Sequence, residues 1–342
     1  MKILLGMSGG VDSTFAAYKL LSEGHTVEGA VLKMHEHTEV ISARSAAENI
    51  GVALHEIDCS ELFDSVVKSD FVNEYSRART PNPCIICNER VKFRVLYDYA
   101  MEHGFDAIAT GHYARVVRTF DGSEERYAVA MAEDARKDQS YMLYRLPQEI
   151  LSRLSLPLAG MTKDEVRESA RAGQVFAADR KDSQEICFLP DGNHAEYVES
   201  VVGKCYPGNF IDEEGNILGK HNGIIRYTVG QRKGLGISLG ERMFVTRITP
   251  EDNTVTLASS VKGESTVRIT DIAFSGIARP GEQRTLSVQV RLRYTAPLLD
   301  ATAYISEDGS ARLEFDEAVK AAPGQSAVLY ADGVVLCGGF IA

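Results

Sequence analysis

Two cysteines, Cys84 and Cys87, stand three residues apart in TPNPCIICNERVKF, directly after a double-proline turn. A thiolate can attack an electrophile, carry sulfur or bind a soft metal. The spacing alone allows a zinc knuckle, a redox couple, a nucleophile with a bystander, or part of a metal cluster. A further thiol, Cys187, follows in KDSQEICFLP. Near the start, SGGVDS (Ser8 to Ser13) separates an apolar run from a helix-forming one. Gly9 and Gly10 let the backbone turn tightly and approach phosphate oxygens, and a helix N-terminus presents N–H groups to an anion. Ser8 and Ser13 add hydroxyls, and Asp12 adds a carboxylate suited to Mg2+ between phosphates. The loop lacks the Lys-Ser/Thr ending of a Walker A motif and is not a GxGxxG dinucleotide fingerprint.

These residues need a frame. KILLGM, TVEGAVLKM, VALHEID and DAIATGH read as short buried strands. The stretches after SGGVDS, ISARSAAENIG and NERVKFRVLYDYAMEHG read as helices between them. This alternation predicts an α/β fold with a doubly wound parallel sheet and a ligand at the C-terminal strand ends. After about Pro190 the character changes. NHAEYVESVVGK is a last helix, and Gly-rich turns then separate β-type runs with hairpin signals. Three domains are expected: a catalytic domain over 1–200, a small β-rich middle module over 201–262 and an antiparallel C-terminal β-barrel over 263–342.

The chain has 342 residues, of which 44% are hydrophobic and 25% charged, as in ordinary globular proteins. The opening MKILLGMSGG is too short for a signal peptide, and no later stretch has the uncharged length of a membrane span. A cytoplasmic protein with six reduced cysteines and no membrane partner is the expectation. The net charge of −11 argues against indiscriminate nucleic-acid binding. Two local basic tracks remain as phosphate candidates. One carries Lys220, Arg226, Arg232, Lys233, Arg242 and Arg247; the other carries Arg77, Arg79, Arg90, Lys92 and Arg94 around the cysteine pair. HEHTE, His35 to Glu39, reads as a solvated loop rather than a metal site.

The SGGVDS loop resembles the pyrophosphate loop of the N-type ATP pyrophosphatases, which cleave ATP between the α and β phosphates and adenylate a substrate. With ATGHYAR, KDQSYMLYRL, YTVGQRKGLGI, VRLRYTAP and APGQSAVLY following in order, nearly the whole chain resembles the tRNA-specific 2-thiouridylases. The resemblance implies replacement of the C2 oxygen of the wobble uridine by sulfur in tRNAs for Lys, Glu and Gln. It implies ATP with Mg2+, a tRNA substrate, and a cysteine desulfurase or sulfur-relay protein as sulfur donor. Cys87 matches the nucleophile and Cys187 the persulfide carrier, and the two would close as a disulfide after transfer. Arg90 and Lys92 are expected to favour the Cys87 thiolate. Gly6, Met7, Ser8, Gly9, Gly10, Val11, Asp12 and Ser13 match the ATP loop. Met34 matches the residue beside adenine, and Gly111 a further nucleotide contact. Asn82, Pro83 and Cys84 match the stretch that meets the target base. Lys137, Asp138, Gln139, His112, Arg293, Tyr294 and Gln325 match tRNA contacts.

Many family members carry Asp where this chain has Cys84, and a thiol of pKa about 8.5 is a weak proton carrier in its place. The substitution makes an iron–sulfur cluster on Cys84, Cys87 and Cys187 the competing mechanism, as in some tRNA-thiolating relatives. Zinc lacks an evident fourth ligand. Cys59, Cys205 and Cys337 are read as structural. The alternative enzyme is an ATP-pyrophosphatase synthetase acting on a small molecule; the non-enzyme alternative is an RNA-binding protein with a degenerate nucleotide fold.

Overall fold

The computed structural model describes residues 1–173, 186–189, 192–238 and 240–342. The first strand, β1 (Lys2–Gly6), is apolar and buried on both faces, as a central parallel strand must be. Beside it lie β2 (Thr26–Lys33), β3 (Leu54–Asp58) and β4 (Ala107–Thr110). A hairpin of β5 (Arg115–Asp121) and β6 (Glu124–Ala130) then leaves the sheet, and β7 (Leu154–Ser155) returns to its edge. The five parallel strands run in the order β3-β2-β1-β4-β7.

Helices α1 (Val11–Ser22) and α2 (Val40–Ile50) cover one face, and α3 (Pro83–Cys87) and α4 (Phe93–Glu102) lie toward the other. After single helical turns over Ser140–Leu143 and Gln148–Leu151 come two longer helices, α5 (Lys163–Ala172) and α6 (His194–Val202). Side chains alternate along β1, so Ile3 and Leu5 pack with Phe15, Ala46 and Val166, while Leu4 packs with Phe93, Leu96 and Ile108. Thr162 and Glu165 form a reciprocal capping box that fixes where α5 starts. The strand–helix alternation does not announce the hairpin, the two-residue β7 or a helical stretch over 60–76.

The middle module contains β8 (Gly208–Ile211), β9 (Ile217–His221), β10 (Phe244–Thr249) and β11 (Thr254–Ala258), ordered β10-β11-β8-β9. Phe210, Tyr227, Val245, Val255 and Leu257 form its core. The C-terminal barrel contains β12 (Glu264–Phe274), β13 (Arg284–Arg291), β14 (Leu299–Ile305), β15 (Ala311–Val319), β16 (Ser326–Ala331) and β17 (Val334–Ile341). It closes because β12 pairs with both β15 and β17. Sequence order does not show that β17 also pairs with β6 of the catalytic domain, through Val334 and Ala130. Arg126 on that hairpin donates to the Ser275 carbonyl at 3.0 Å, and Arg284 of the barrel donates to Asp121 at 2.9 Å. Barrel and sheet domain are therefore joined by backbone and ionic bonds.

Candidate active site

At the end of β1 the chain turns through Ser8–Gly10 into α1. Gly9 has φ +77°, and a Cβ there would sit 2.5 Å from the Ser42 backbone on α2. Only glycine meets both demands. Gly111, after β4, presses on the same loop; a Cβ there would lie 2.8 Å from the backbone of Asp12 and Ser13. The Ser8 N–H donates to Ser13 Oγ at 3.2 Å, and Ser13 Oγ donates to the Gly10 carbonyl at 3.1 Å. These bonds hold a concave backbone at a helix N-terminus, a geometry suited to phosphate.

Asp12 is not free. Lys163 Nζ lies 2.7 Å from both of its carboxylate oxygens, and the Tyr113 hydroxyl donates to Oδ1 at 2.7 Å. The Lys163 side chain is 5% exposed and that of Asp12 31%. Sequence reasoning missed Lys163 and Tyr113. One signal was present: Lys163 opens a capped helix, where the macrodipole disfavours a cation.

The thiols lie across the sheet end. Pro83 occupies the first turn of α3, where its missing N–H costs nothing. After Cys87 the helix widens to a π-type turn over Asn88–Lys92 and then resumes as α4. Such turns concentrate at functional sites. Cys87 is 6% exposed, whereas Cys84 and Cys187 reach the surface. Cys87 Sγ lies 3.8 Å from Met34 Sδ, so the residue matched to adenine touches the residue matched to the nucleophile. Cys84 and Cys87 both act electrostatically on Cys187, which puts the three thiols in one neighbourhood. All six cysteines are free thiols in this structure. Residues 181–185 and Pro190 of the Cys187 motif lie outside the described residues.

Two expectations change here. Among the described residues no three His, Cys, Asp or Glu side chains converge to hold a metal. Cys84, Cys87 and Cys187 are all described and do not form such a group, so the structure lends the iron–sulfur reading no support. Second, basic neighbours do not leave Cys87 with a depressed pKa. Burial pushes the Cys84 and Cys87 thiols up, and Lys92 only opposes that rise. Arg90 sits 3.5 Å from Glu89, with its side chain more than half exposed. Burial and the two other thiols push Cys187 up to about 11. Burial drives His112 down to about 3, so its imidazole is neutral at physiological pH; its Nδ1 bonds Thr110 Oγ1 at 2.8 Å.

The barrel roofs this site. The Thr80 N–H donates to the Pro323 carbonyl at 2.9 Å, and Gln325 Nε2 donates to the Thr80 carbonyl at 2.8 Å. Gly324, at φ +87°, lies so close that a Cβ would sit 2.9 Å from Thr80 N. The chain leading to Asn82, Pro83 and Cys84 is thereby clamped. Asn82 and Asn88 both donate to Met142, to its sulfur at 3.5 Å and its carbonyl at 3.0 Å. Tyr294 of the barrel comes near enough to Cys84 for their charges to interact, and Arg293 beside it is exposed. Asp138 is buried and accepts from Ala132 N, Ser140 N, Ser140 Oγ and, at 2.8 Å, Arg291 Nη1. Gln139 Oε1 accepts from Tyr113 N at 2.9 Å. Asp138, Gln139 and Gln325, all matched to tRNA contacts, thus have side chains committed within the protein, where they position their segments.

The basic track of the middle module surrounds two cavities. One, of about 350 Å³, is lined by His194, Lys220, Asn222, Arg226 and Tyr227. The other, of about 500 Å³, is lined by Arg232, Leu235, Ser238 and Arg242. Neither includes a thiol or a residue of the phosphate loop.

Residues 1–191 match the family model described as a tRNA methyl transferase HUP domain. Residues 195–259 match a tRNA methyl transferase PRC-barrel domain, and 264–341 an aminomethyltransferase beta-barrel domain. Over 358 aligned positions the chain is 41% identical to the tRNA-specific 2-thiouridylase MnmA of Acetivibrio thermocellus, with 99% of each chain covered. The chain belongs to the tRNA-specific 2-thiouridylase family. The corresponding protein of Clostridium perfringens is 40% identical over 357 positions, covering 99% of this chain and 98% of its own. A solved 4-thiouridine synthetase–RNA complex with bound ATP aligns at TM-score 0.37 and 20% identity, over 53% of this chain and 42% of that one; at that distance it carries no functional weight. Among the described residues no helix is long and apolar enough to cross a membrane.

Proposed function

We propose that this enzyme converts the wobble uridine of tRNAs for Lys, Glu and Gln to 2-thiouridine, using ATP. The observation that carries the reading is the contact between Cys87 and Met34 at 3.8 Å, at the C-terminal end of the parallel strands, where the phosphate loop also lies. Adenylation chemistry and a sulfur nucleophile meet there. A uridine carbonyl oxygen is a poor leaving group, and its attack on the α-phosphate of ATP turns it into AMP with release of pyrophosphate. A persulfide on Cys187 then supplies sulfur. The Cys87 thiolate attacks the inner sulfur, forming a Cys87–Cys187 disulfide and releasing hydrosulfide. Hydrosulfide adds to C2, AMP departs with the oxygen, and a proton is lost. An external thiol reductant reopens the disulfide.

The sulfur donor in this reading is a cysteine desulfurase or relay protein, and the location is cytoplasmic. Asp12 fits Mg2+ only as one ligand to an ion arriving on the phosphates, because Lys163 already compensates its charge. No step runs through an iron–sulfur cluster. The thiols favour thiolation over the methyl transfer in the names of two domain models, since methyl transfer has no use for a persulfide. The basic cavities and the barrel roof favour RNA over a small-molecule substrate.

The test is nucleoside mass spectrometry on unmodified tRNA transcripts incubated with the purified enzyme, ATP, Mg2+ and sulfide. Formation of 2-thiouridine with one AMP per modified base is expected. Transcripts that stay unmodified while the protein binds ATP would overturn the assignment.

A further inference from the structure

Cys187 and Phe188 are the two central residues of one turn, closed by the Leu189 N–H donating to the Ile186 carbonyl at 2.9 Å. The turn treats its two side chains in opposite ways: Cys187 is exposed, whereas Phe188 is 4% exposed. The turn lies outside the strands and helices of the described residues, and its closing bond is internal. Buried side chains rather than a backbone ladder therefore fix it to the domain.

The Phe188 ring enters a nest of three others. Its centroid lies 5.6 Å from Phe63, 5.3 Å from Phe71 and 5.5 Å from Tyr197, with interplanar angles of 75°, 85° and 63°. Edge-to-face contacts of this kind fix the orientation of a ring as well as its depth. Phe63 and Phe71 belong to the helical stretch over 60–76, and Tyr197 to α6. The same apolar cluster contains Cys87, and Met34 packs against it. Phe188 and Cys87 are thus parts of one packed body, and a close-packed interior leaves a buried ring few alternative positions. Cys187 is covalently next to that ring.

We propose that Phe188 is the positioning residue for sulfur transfer: its ring anchors the turn that keeps the Cys187 thiol within reach of Cys87. The proposal rests on the thiolation reading for its purpose, but its test needs neither tRNA nor ATP. The full-length protein carrying Cys84→Ser is equilibrated with glutathione and glutathione disulfide. As the Cys87–Cys187 disulfide forms, the two thiols lose two electrons and two protons, and one glutathione disulfide becomes two thiols. The equilibrium constant is the effective concentration of one thiol at the other. Peptide mass spectrometry reads the linked fraction after free thiols are alkylated.

Phe188→Ala is expected to lower that constant about tenfold or more, because a released turn samples positions away from Cys87. Phe188→Leu, which keeps an apolar side chain in the nest, should retain most of it. Leu313→Ala opens a cavity in the barrel core and is the control for lost stability alone; it should leave the constant unchanged. Thermal melting checks the fold, and Phe188→Val replaces the Ala variant if that one melts early.

A Phe188→Ala constant equal to that of the parent would overturn the proposal, as would an equal fall in Leu313→Ala or a parent whose two thiols fail to close. A fall rescued by Leu, in an enzyme whose native form makes no 2-thiouridine, would overturn the function and leave the role of Phe188 standing.

Discussion

The phosphate loop and the thiol group sit at one end of the same sheet, and their electrostatics are opposite. In the loop every charge is answered in advance: Asp12 meets Lys163 and Tyr113, and Gly9 and Gly111 are locked by backbone contact. Around Cys87, itself buried, desolvation raises the thiol, and the helix widens to a π-type turn. The contrast follows from the tasks. A nucleotide brings its own charge and needs a rigid cradle, whereas a sulfur nucleophile must create an anion where none stood before.

The harshest way to break the contrast is to remove the nucleophile. With sulfur delivered as a Cys187 persulfide rather than as free sulfide, Cys87→Ser should abolish 2-thiouridine formation, by about a thousandfold or more, since an unactivated hydroxyl cannot open a persulfide. Nucleoside mass spectrometry reads this, and the serine variant should still bind ATP. Next is the cradle. Gly9→Ala sets a Cβ against Ser42 at positive φ, for which a loss of about 1–3 kcal/mol of stability is expected. Thermal unfolding and nucleotide titration should both register it; an unchanged melting curve would mean that the loop yields freely. Lys163→Met should come next, leaving Asp12 charged without its buried partner. Because Asp12 is about one-third exposed, the expected loss is about 1–2 kcal/mol, smaller than for a fully buried pair. Lys163→Arg should recover part of it.

The raised thiols predict a pH effect of definite sign. Cys59 and Cys187 rise from 9.0 to about 11, and Cys337 to about 12, chiefly through burial. The folded state therefore keeps protons that the unfolded chain has lost. The stability these groups contribute is complete below about pH 9 and disappears as pH climbs through 11 to 12. Chemical denaturation at pH 8, 9.5 and 10.5 should show a falling midpoint; a flat series would mean that the thiols are not desolvated. The smallest effect belongs to Cys84. Since the thiols do not converge on a metal, Cys84→Ser should retain activity within about threefold, typical of a non-essential surface change. Stoichiometric iron after anaerobic purification, lost in that variant, would reverse this expectation.

Some of this was readable early. Strands β1 to β4 are apolar runs between helix-forming stretches, and periodicity finds such elements. The loop glycines were legible because tight turns at a strand–helix junction admit few other residues. The hairpin β5–β6 was not legible, because its strands are largely exposed and their purpose, pairing with β17, depends on residues some 200 positions away. Asp138 and Gln325 are matched to RNA contacts by the family resemblance alone. That Asp138 is buried against Arg291 and that Gln325 bonds the Thr80 carbonyl is encoded in no local pattern.

By itself the sequence determined the parallel sheet, the phosphate loop, the identity of the thiols and the family, since these rest on local spacing and composition. Only the tertiary structure decided that Asp12 is paired with Lys163 across 151 residues, that burial outweighs the basic neighbours of Cys87, and that Arg145 bonds Glu89. Desolvation and ion pairing depend on what surrounds a group in space, and the chain brings those surroundings together only when it folds.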